Sequence, residues 1–524
     1  MNASAARREP CEMNASAAFS GAPADLPAAM RRFDLLVVGG GINGAGIARD
    51  AAGRGISVAL VEQGDFAGAT SSASTKLIHG GLRYLEQYEF RLVAEALAER
   101  EVLLRIASHI AWPLRFVMPH ADGLRPSWMI RAGLFLYDRI GGHISLPRSE
   151  SIRLSRDGAG AALASRYRHG YAYSDAWVDD ARLVILNLRS AQSHGATILP
   201  RTRFVTARAR QGRWRVTIEH EDGERETLDA GALVNAAGPW VETVAASAGG
   251  SSPRASVQLV KGSHVVVPRI HAQSHAYILQ NDDRRIVFLI PYERDFTLIG
   301  TTDVRVDSIE SARAIDADET RYLLRAANRY LARPLAERDI VWSYTGVRPL
   351  YDDGASDPSE ITRDYTLELR TFDGAAQLDI YGGKITTYRR LAEAALDRLA
   401  PYLSARRGRW THGESLPGAP KDPIAARSEL HARYPQLPKA LLDALFRRHG
   451  TLAAQVLGDA STLETLGEDL DGGLYERELR WFVENEWARR ADDVLWRRSK
   501  AGLHMSAQSR ARVAQLLGES EKAA

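Results

Sequence analysis

Three glycines and a glutamate near the amino terminus have a spacing that could bind a dinucleotide. Gly39-x-Gly41-x-x-Gly44 follows one apolar segment, and Glu62 follows the next. In such a motif the first glycine allows a tight turn, the second lets the backbone approach a pyrophosphate, and the third lets the helix pack on the strand. The helix N-terminus offers N–H groups to phosphate oxygens, and Glu62 can accept hydrogen bonds from ribose hydroxyls. The pattern predicts dinucleotide binding; a glycine-rich turn with a solvated glutamate is the alternative.

The loop after this unit favours a flavin over a nicotinamide. Residues 68–81 read GATSSASTKLIHGG, with five hydroxyl side chains in six positions before a lysine, a histidine and two glycines. A nicotinamide enzyme usually continues with further strand–helix repeats, whereas small polar residues suit close wrapping around a pyrophosphate and a flat polar ring. An ordinary surface loop is the alternative. The predicted cofactor contacts from this loop are Thr70, Ser71, Ser72, Lys76, Leu77, His79, Gly80 and Gly81.

Two later strand ends carry glycine turns that could approach the same cofactor. Residues 233–240 read LVNAAGPW, and residues 378–387 read LDIYGGKITT. Open α/β sheets bind ligands at the carboxyl ends of their strands. A helix N-terminus after the second turn, with Lys384 beside it, would stabilise negative charge developing on a flavin ring as it accepts hydride. Each turn could also be a simple strand-to-helix connection. The residues added to the predicted cofactor site are Ala237, Gly238, Trp240, Gly383, Lys384 and Thr386.

The surrounding pattern predicts the elements that position these motifs. The first apolar segment, the alanine-rich stretch after it and the second apolar segment form one βαβ unit. Alternating and short apolar runs predict antiparallel strands near 214–218, 265–267, 286–290 and 296–299, with helices near 91–106 and 319–332. From about residue 385 the pattern is helical. We therefore predict an α/β protein, with a dinucleotide-binding domain interleaved with an antiparallel-sheet substrate subdomain over residues 31–400 and a helical C-terminal domain over residues 401–524.

Composition excludes several classes of protein. The chain has 524 residues, 45% hydrophobic and 25% charged, which is typical of a globular protein with two or three domains. A formal charge of +3 does not indicate a nucleic-acid partner. The single cysteine, Cys11, leaves no internal disulfide, no thiolate metal site and no dithiol relay, so we predict no metal and a reducing compartment. Seven of the 68 cationic residues are lysines, and Lys76, Lys261 and Lys384 lie in glycine-containing motifs.

The amino-terminal segment has no targeting pattern. Residues 1–30 are rich in alanine, serine and proline and repeat the hexamer MNASAA, so we predict a disordered leader. A signal peptide needs a continuous apolar stretch of about 7–15 residues, which this segment lacks. No window of the chain approaches the ~18 consecutive apolar residues of a membrane-spanning helix. The sequence therefore predicts a protein that is soluble or peripherally attached to a membrane.

Several motifs, taken together and in order, resemble one family. They are the run at 70–85, NAAGPW at 235–240, KGSH at 261–264, GTTD at 300–303, GVRPL at 346–350, ITRD at 361–364, GGK at 382–384 and EWARRADDVLWR at 486–497. Over about residues 31–510 the chain resembles the bacterial FAD-dependent (aerobic) glycerol-3-phosphate dehydrogenases. The resemblance implies a Rossmann-like FAD-binding fold of the glutathione-reductase and D-amino-acid-oxidase type. It also implies oxidation of sn-glycerol 3-phosphate to dihydroxyacetone phosphate, electron transfer to a membrane quinone, and a homodimer.

The implied substrate makes demands that particular residues could meet. A phosphate monoester carries close to two negative charges, so its site should present fixed cations. Arg348 lies in Gly-Val-Arg-Pro and Arg363 in Thr-Arg-Asp, where Asp364 could orient it. Forked guanidinium donors match phosphate oxygens, and the resemblance implies that these two arginines form the phosphate clamp. Taken alone, each would be an ordinary surface cation.

Oxidation of a secondary alcohol also needs an acceptor for the hydroxyl proton. Histidine suits this role because its unperturbed pKa is ~6.5, and His79 and His264 both lie close to glycines. We favour His79, although a structural histidine is an equal alternative there. Lys384 could assist by lowering the pKa of the alcohol. The residues predicted to act in catalysis are His79, Lys384, Arg348, Arg363, Arg83 and Tyr84.

The electrons must leave the flavin for an external acceptor. The chain has no second glycine fingerprint for a pyridine nucleotide, so dioxygen, a diffusible acceptor or a membrane acceptor remains. Residues 112–118 and 125–137 mix large apolar side chains with arginine, as a surface in an anionic headgroup region would. We therefore predict a cytoplasmic protein associated peripherally with lipid on the cytoplasmic face of the inner membrane; an ordinary core-facing helix is the alternative.

Two other functions stay open at this point. An amine or amino-acid oxidase of the same flavin fold would use one arginine for a carboxylate and reduce dioxygen to peroxide. A flavin-binding scaffold would catalyse nothing. Reduction of the bound flavin by a phosphorylated polyol, and not by an amino acid, would separate these functions from the first.

Overall fold

The computed structural model describes residues 30–120, 125–142, 144–155, 158–249, 256–283, 285–352 and 364–519. Apart from Met30, the predicted leader lies outside these residues, and so does Arg363. The side chain of Arg83 also lies outside them.

The strands, in chain order, are β1 Arg32–Val38, β2 Val58–Val61, β3 Leu77–Ile78, β4 Ala111–Pro119, β5 Glu150–Arg153, β6 His169–Val178, β7 Thr197–Leu199, β8 Thr202–Arg210, β9 Arg213–His220, β10 Arg225–Asn235, β11 Val257–Pro268, β12 Ala276–Gln280, β13 Ile286–Tyr292, β14 Phe296–Gly300, β15 Val304–Val306, β16 Trp342–Tyr351, β17 Tyr365–Phe372 and β18 Ala375–Gly382. The helices are α1 Ile42–Gly53, α2 Phe90–Ile106, α3 Ser127–Ile140, α4 Asp180–Ser193, α5 Val241–Ser247, α6 Ala317–Asn328, α7 Tyr388–Leu399, α8 Pro423–Arg433, α9 Lys439–His449, α10 Ala453–Leu457, α11 Glu476–Glu486 and α12 Ala507–Leu516.

The first sheet is the parallel one predicted from the βαβ unit. Its strands run in the order β17, β18, β10, β1, β2 and β7, with β9 and β8 attached beside β10. β1 pairs in parallel with β10 and β2, and β10 pairs in parallel with β18. These central strands are apolar and almost fully buried, as strands covered on both faces must be. Because they are parallel, their carboxyl ends meet at one edge of the sheet.

Helix α1 lies unusually close to its neighbours on one face of this sheet, because its glycines leave room. A Cβ on Gly46 would lie 2.7 Å from the ring of Tyr388, which begins α7. A Cβ on Gly53 would lie 1.9 Å from the ring of Trp410. The glycines of α1 therefore let the helix pack closely against Tyr388 and Trp410.

The second sheet is mainly antiparallel and is interleaved with the first along the chain. Its order is β15, β11, β14, β13, β12, β4, β6 and β3, with β16 pairing with β11 and β5 with β6. The chain enters this sheet at β3, returns to the first sheet for β7 to β10, crosses again for β11 to β16 and comes back for β17 and β18. The predicted fold class, two interleaved sheets followed by helices, is confirmed.

One predicted membrane surface is wrong. Residues 112–118 lie in β4, which is paired on both sides, with β12 in parallel and β6 antiparallel. Phe116, Val117 and Met118 are buried there, so most of this segment belongs to the core. The mixture of aromatic residues and arginine in the sequence could not show that neighbouring strands cover it.

The helices after α7 form their own apolar clusters and dock on the body through buried ion pairs. Arg182 of α4 binds the carboxylate of Glu486 at the end of α11, and both side chains are fully buried. Among the described residues, no helix is long and apolar enough to cross a membrane.

Candidate active site

Two glycines of the amino-terminal motif occupy positions where a side chain does not fit. Gly39 follows β1 with φ +110°, and a Cβ on it would lie 2.4 Å from the carbonyl oxygen of Ala236. A Cβ on Gly44 would lie 1.9 Å from the carbonyl oxygen of Gly39. The turn can therefore close only with glycine at both positions. This is the packing that the motif predicts for the first and third glycines.

The N-terminus of α1 faces a cavity. Its N-cap residue, Gly41, provides no side-chain cap, and the first turn contains no acidic residue. The N–H of Ile42 donates to the hydroxyl of Ser71 at 2.9 Å, so the predicted Ser/Thr loop lies against this helix end. A helix N-terminus with the positive end of its dipole exposed to a cavity can bind phosphate.

Glu62 is held in place by backbone groups of the two turns beside it. Its carboxylate accepts hydrogen bonds from the N–H of Gly40 at 2.7 Å and of Gly64 at 2.8 Å. Burial raises the pKa of Glu62, and these two N–H groups oppose that change. The carboxylate is therefore oriented at the rim of the cavity before any ligand binds.

The cavity itself has a volume of about 430 Å³ and connects the predicted motifs. Residues 62–64 line one end together with Arg201, Thr202 and Phe204, and Gly382 and Gly383 line the other. The predicted cofactor residues that line it are Gly39, Gly41, Glu62, Thr70, Ser71, Ala237, Gly238, Trp240 and Gly383. An elongated cleft with an acidic residue at one end and a helix N-terminus at its middle fits a dinucleotide.

Lys76 of the Ser/Thr loop has a structural role beneath the cleft. The Lys76 ammonium is fully buried and lies 2.8 and 2.9 Å from the Asp180 carboxylate oxygens, with the Ser72 carbonyl oxygen at 3.0 Å. Asp180 also accepts from the Ser74 hydroxyl at 2.7 Å. Contrary to our prediction of a cofactor contact, the Lys76 side chain anchors the loop and does not line the cavity. A buried site with several acceptors suits the compact ammonium of lysine.

Two other predicted contact residues have structural partners. The Leu77 side chain is buried in the core beside β6, because β3 pairs with that strand. The N–H of Gly80 donates to the Tyr137 hydroxyl at 2.8 Å. Ser72 and Gly81 do not line the described cavity either. Cofactor contacts from these residues remain a prediction.

The far end of the cleft brings together β18, the N-terminus of α1 and the end of β16. The Asn43 amide donates to the Gly382 carbonyl at 3.2 Å. A Cβ on Gly382 would lie 3.9 Å from the carbonyl oxygen of Pro349, which itself lines the cavity. Lys384 follows Gly383 in sequence and Arg348 precedes Pro349, but neither of these two cations lines the cavity itself.

Three of the six residues predicted for catalysis, His79, Lys384 and Tyr84, lie around the turn that follows β18. The Lys384 ammonium lies 3.7 Å from the centroid of the Tyr84 ring. The backbone N–H of His79 donates to the Thr386 hydroxyl at 3.4 Å, and the His79 ring contacts Phe288 edge-on. The Arg83 side chain and Arg363 lie outside the described residues, and their roles in catalysis remain predictions.

Arg348 is oriented by the turn between β14 and β15. Its guanidinium donates to the Asp303 carboxylate at 2.8 Å and to the Thr301 hydroxyl at 3.0 Å. A Cβ on Gly262 would lie 2.5 Å from the guanidinium, so this glycine makes room for it. The sequence drew attention to Gly262 only through its neighbour Lys261. The Lys261 ammonium forms a buried ion pair with Glu319 at 2.7 Å.

His264, the second candidate base, has a structural role. Its ring is fully buried, stacks on Tyr344 at 4.7 Å and lies 3.0 Å from the Thr75 hydroxyl. Burial, with the cations Arg348 and Lys76 nearby, holds its pKa well below the usual range. His79 is only half-buried, which keeps it as the better candidate.

The sequence assigned no cofactor role to several cavity residues, although the motif at residues 486–497 includes those of the C-terminal domain. Asn43 occupies a variable position of the glycine motif, and Arg201 and Phe204 follow a short strand with no motif. Arg490, Asp493 and Arg497 come from the C-terminal domain, more than 400 positions from the fingerprint. Nothing in local spacing connects residues so far apart.

Comparison with known proteins agrees with this geometry. The family model described as "FAD dependent oxidoreductase" matches residues 34–366, so the chain belongs to that family. The model described as "C-terminal domain of alpha-glycerophosphate oxidase" matches residues 409–522. The predicted FAD cofactor and flavoenzyme fold are confirmed.

The relatives narrow the class further. The chain is 50% identical to the aerobic glycerol-3-phosphate dehydrogenase of Escherichia coli, covering 94% of this chain and 98% of that protein. It is 48% identical to the D-erythritol 1-phosphate dehydrogenase of Brucella abortus, covering 91% and 96%. The solved glycerol-3-phosphate dehydrogenase of Bacillus halodurans, complexed with FAD, matches with a TM-score of 0.70 and 26% identity over 93% of this chain and 94% of that one. The predicted family, the FAD-dependent glycerol-3-phosphate dehydrogenases, is confirmed.

The described residues fit FAD. The helix N-terminus at Gly41 and Asn43 would hold the pyrophosphate, Glu62 the ribose, and the turns at Gly238 and Gly383 the flavin end. When bound, FAD supplies the acceptor for a hydride, which carries the two electrons of the oxidation.

Proposed function

We propose that this protein oxidises sn-glycerol 3-phosphate to dihydroxyacetone phosphate with FAD as the hydride acceptor. The observation that carries the proposal is a cleft that fits FAD, whose lining residues Pro349 and Gly383 adjoin two cations in sequence, Arg348 and Lys384. Identity of 50% to a protein named for this activity, over nearly the whole chain, supports it.

In this proposal Arg348 binds the phosphate of the substrate. Arg348 is already oriented by Asp303 and Thr301, so little rotational freedom is lost when it binds an anion. Arg363 would complete the clamp, as the resemblance implies, with Arg83 contributing further positive charge. A carboxylate substrate would need one such arginine, which is why these residues favour a phosphate ester over an amino acid.

His79 is our proposed general base, with Lys384 and Tyr84 beside the reacting alcohol. The backbone N–H of His79 donates to the Thr386 hydroxyl, so His79 contacts the turn that bears Lys384. The base would take the hydroxyl proton, and the nearby ammonium would stabilise the developing alkoxide. A His79→Gln variant should keep FAD bound while kcat falls about 100-fold, within the range usual for general-base catalysis. It should also lose the histidine limb of the pH–rate profile, whereas an unchanged profile would exclude His79 as the base.

Anaerobic reduction of the flavin tests the proposed function directly. The yellow holoprotein is mixed with glycerol 3-phosphate, D-erythritol 1-phosphate, glycerol or D-alanine, and the absorbance near 450 nm is followed. We expect rapid bleaching by glycerol 3-phosphate and no bleaching by glycerol or D-alanine. Bleaching by D-alanine alone would favour the amino-acid oxidase, and no bleaching by any compound would favour a scaffold.

A longer polyol phosphate is the second candidate substrate. The relative named for D-erythritol 1-phosphate is 48% identical, almost as similar as the relative named for glycerol 3-phosphate. Both compounds carry the phosphate that Arg348 would bind, so the clamp does not distinguish them. The ratio of their reduction rates in the bleaching assay decides between them.

We also propose peripheral membrane attachment through α3, which would bring the protein to a membrane quinone on the cytoplasmic face of the inner membrane. Trp128 and Phe135 of α3 are 73% and 59% exposed. Arg131 and Arg139 lie on the same exposed face. Aromatic residues alternating with arginines suit the headgroup region of an anionic bilayer.

Binding to vesicles of anionic and neutral lipid at low salt tests the attachment. We expect binding to anionic vesicles that weakens as salt is raised. Failure to bind anionic vesicles would contradict it. Turnover with a soluble quinone analogue, compared with dioxygen, tests the acceptor, and sedimentation equilibrium tests the homodimer that the resemblance implies.

A further inference from the structure

The C-terminal domain reaches the cofactor cleft. Arg490, Asp493 and Arg497 line the same cavity as Glu62, at the end opposite Gly383. They belong to the segment after α11, which includes a single π-type turn, Asp493–Arg498. The wall of the cleft at this end is therefore built by a domain that begins about 350 residues after Glu62 in the sequence.

Two arginines of this segment hold the loop that follows Glu62. The Asp65 carboxylate accepts from Arg498 at 2.6 and 2.7 Å and also from the Nε of Arg497. Asp65 and Arg498 are buried, and the Arg497 side chain is 17% exposed. The next residue, Phe66, packs edge-on against Trp487 with 5.3 Å between ring centroids. These contacts fix the loop from the side of the C-terminal domain.

The same loop positions the groups that would contact the cofactor. The N–H of Ala67 donates to the Gly40 carbonyl at 3.1 Å. The N–H of Gly64 donates to the Glu62 carboxylate at 2.8 Å. A displacement of Asp65 would therefore move the backbone donor that orients Glu62 and loosen the contact with the glycine turn.

A second anchor lies on the other side of the cavity. The Asp493 carboxylate accepts from the backbone N–H groups of Arg489 at 2.8 Å and Arg490 at 2.9 Å. It also accepts from Arg201 at 2.7 Å, and Arg201 itself lines the cavity. The segment is thus held to both loops that border the acidic end of the cleft.

We propose that residues 490–497 close the adenine-ribose end of the FAD cleft, and that Arg497 is a positioning residue for the cofactor. Binding of FAD and docking of this segment then favour each other, because each stabilises the arrangement of the loop after Glu62. Such coupling is reciprocal: docking tightens FAD binding by the same factor by which FAD tightens docking. A change that undocks the segment therefore weakens FAD binding.

A matched pair of variants tests the proposal. Arg497→Ala removes one of two partners of Asp65 and leaves the paired hydrogen bonds of Arg498 in place. Arg447→Ala removes a different ion pair between the two domains, Arg447–Glu293 at 2.8 Å, which does not border the cleft. Both are expected to fold, which circular dichroism and thermal unfolding of the apoproteins would verify.

The measurement is the Kd for FAD from titration of apoprotein by flavin fluorescence, without substrate. We expect Arg497→Ala to raise the Kd at least 10-fold, Arg497→Lys to raise it less, and Arg447→Ala to change it less than 2-fold. An unchanged Kd in Arg497→Ala would overturn the proposal. An equal increase in both alanine variants would also overturn it, since that result would mean that domain docking in general is what matters.

Hydrogen exchange of the unmodified protein gives an independent result. FAD should slow exchange of amides in residues 489–498 as well as in the glycine turn. Protection confined to the glycine turn would refute closure by the C-terminal segment, even if a variant failed to fold. Because these measurements use FAD alone, they hold or fail independently of the proposed substrate.

Discussion

Replacing Gly44 by alanine should abolish tight FAD binding, although it adds only one methyl group. The added Cβ would lie 1.9 Å from the Gly39 carbonyl oxygen, a backbone atom that cannot rotate away. Non-bonded contacts of this kind are rarely closer than about 3 Å. The start of α1 must therefore retreat by roughly 1 Å from the turn.

That retreat matters because hydrogen bonds to phosphate depend on distances of about 2.7–3.2 Å. A shift of this size would break or weaken two or more of them. A hydrogen bond to a charged group contributes about 1.5–3 kcal/mol, so the loss is about 3–6 kcal/mol. The Kd for FAD should rise at least about 100-fold.

The chain offers a matched control in Gly133→Ala. Gly133 lies within α3, and a Cβ there would have nothing within 4 Å. The same chemical change in a helix should stabilise that variant by about 0.5–1 kcal/mol and leave FAD binding unaltered. Flavin absorbance per protein and titration of apoprotein measure both variants. If Gly44→Ala binds FAD within 3-fold of the parent, the steric argument is refuted.

Three further predictions concern the substrate, the membrane and the domain interface. Arg348→Ala should raise KM for glycerol 3-phosphate about 10- to 100-fold with FAD retained. The exposed control Arg305→Ala should leave KM unchanged. If the two variants have equal KM values, Arg348 does not belong to the substrate site. Trp128→Ala should weaken binding to anionic vesicles in a sedimentation assay. Ile424→Ala, a control that removes an 81% exposed side chain from the C-terminal domain, should not. Equal effects of the two substitutions would argue against membrane attachment through α3. Burial opposes ionisation of Glu486, but its buried arginine partner outweighs this and lowers the pKa to about 2. This carboxylate therefore contributes stability above about pH 4.5 that is lost as the pH falls toward 2, and Glu486→Gln should flatten that part of the urea-unfolding profile; an unaltered slope would contradict the assignment.

The local part of the site was predictable because its physical requirements lie within a few residues of one another. A tight turn, an open helix N-terminus and a close helix–strand contact each need glycine, so Gly39, Gly41 and Gly44 are readable as a motif. Glu62 follows from the length of one βαβ unit. Interleaving of the two sheets was also indicated, because a parallel start was followed by alternating strands.

Chemical type alone did not decide which polar residues face the cleft. Lys76 lies within the predicted cofactor loop, yet its ammonium contacts Asp180, which is more than 100 positions away in the sequence. Residues 112–118 look amphipathic in one dimension, but strands from other parts of the chain bury most of them. In both cases the partner that decides the outcome is distant in sequence.

The sequence by itself determined the nucleotide-binding turn, the fold class and the family, because backbone constraints and recurring motifs are local. Only the tertiary structure decided that Asp65 and the segment at residues 490–497 border the same cleft. The reason is that a cavity wall depends on which surfaces pack together, and packing joins residues whose separation along the chain carries no signal.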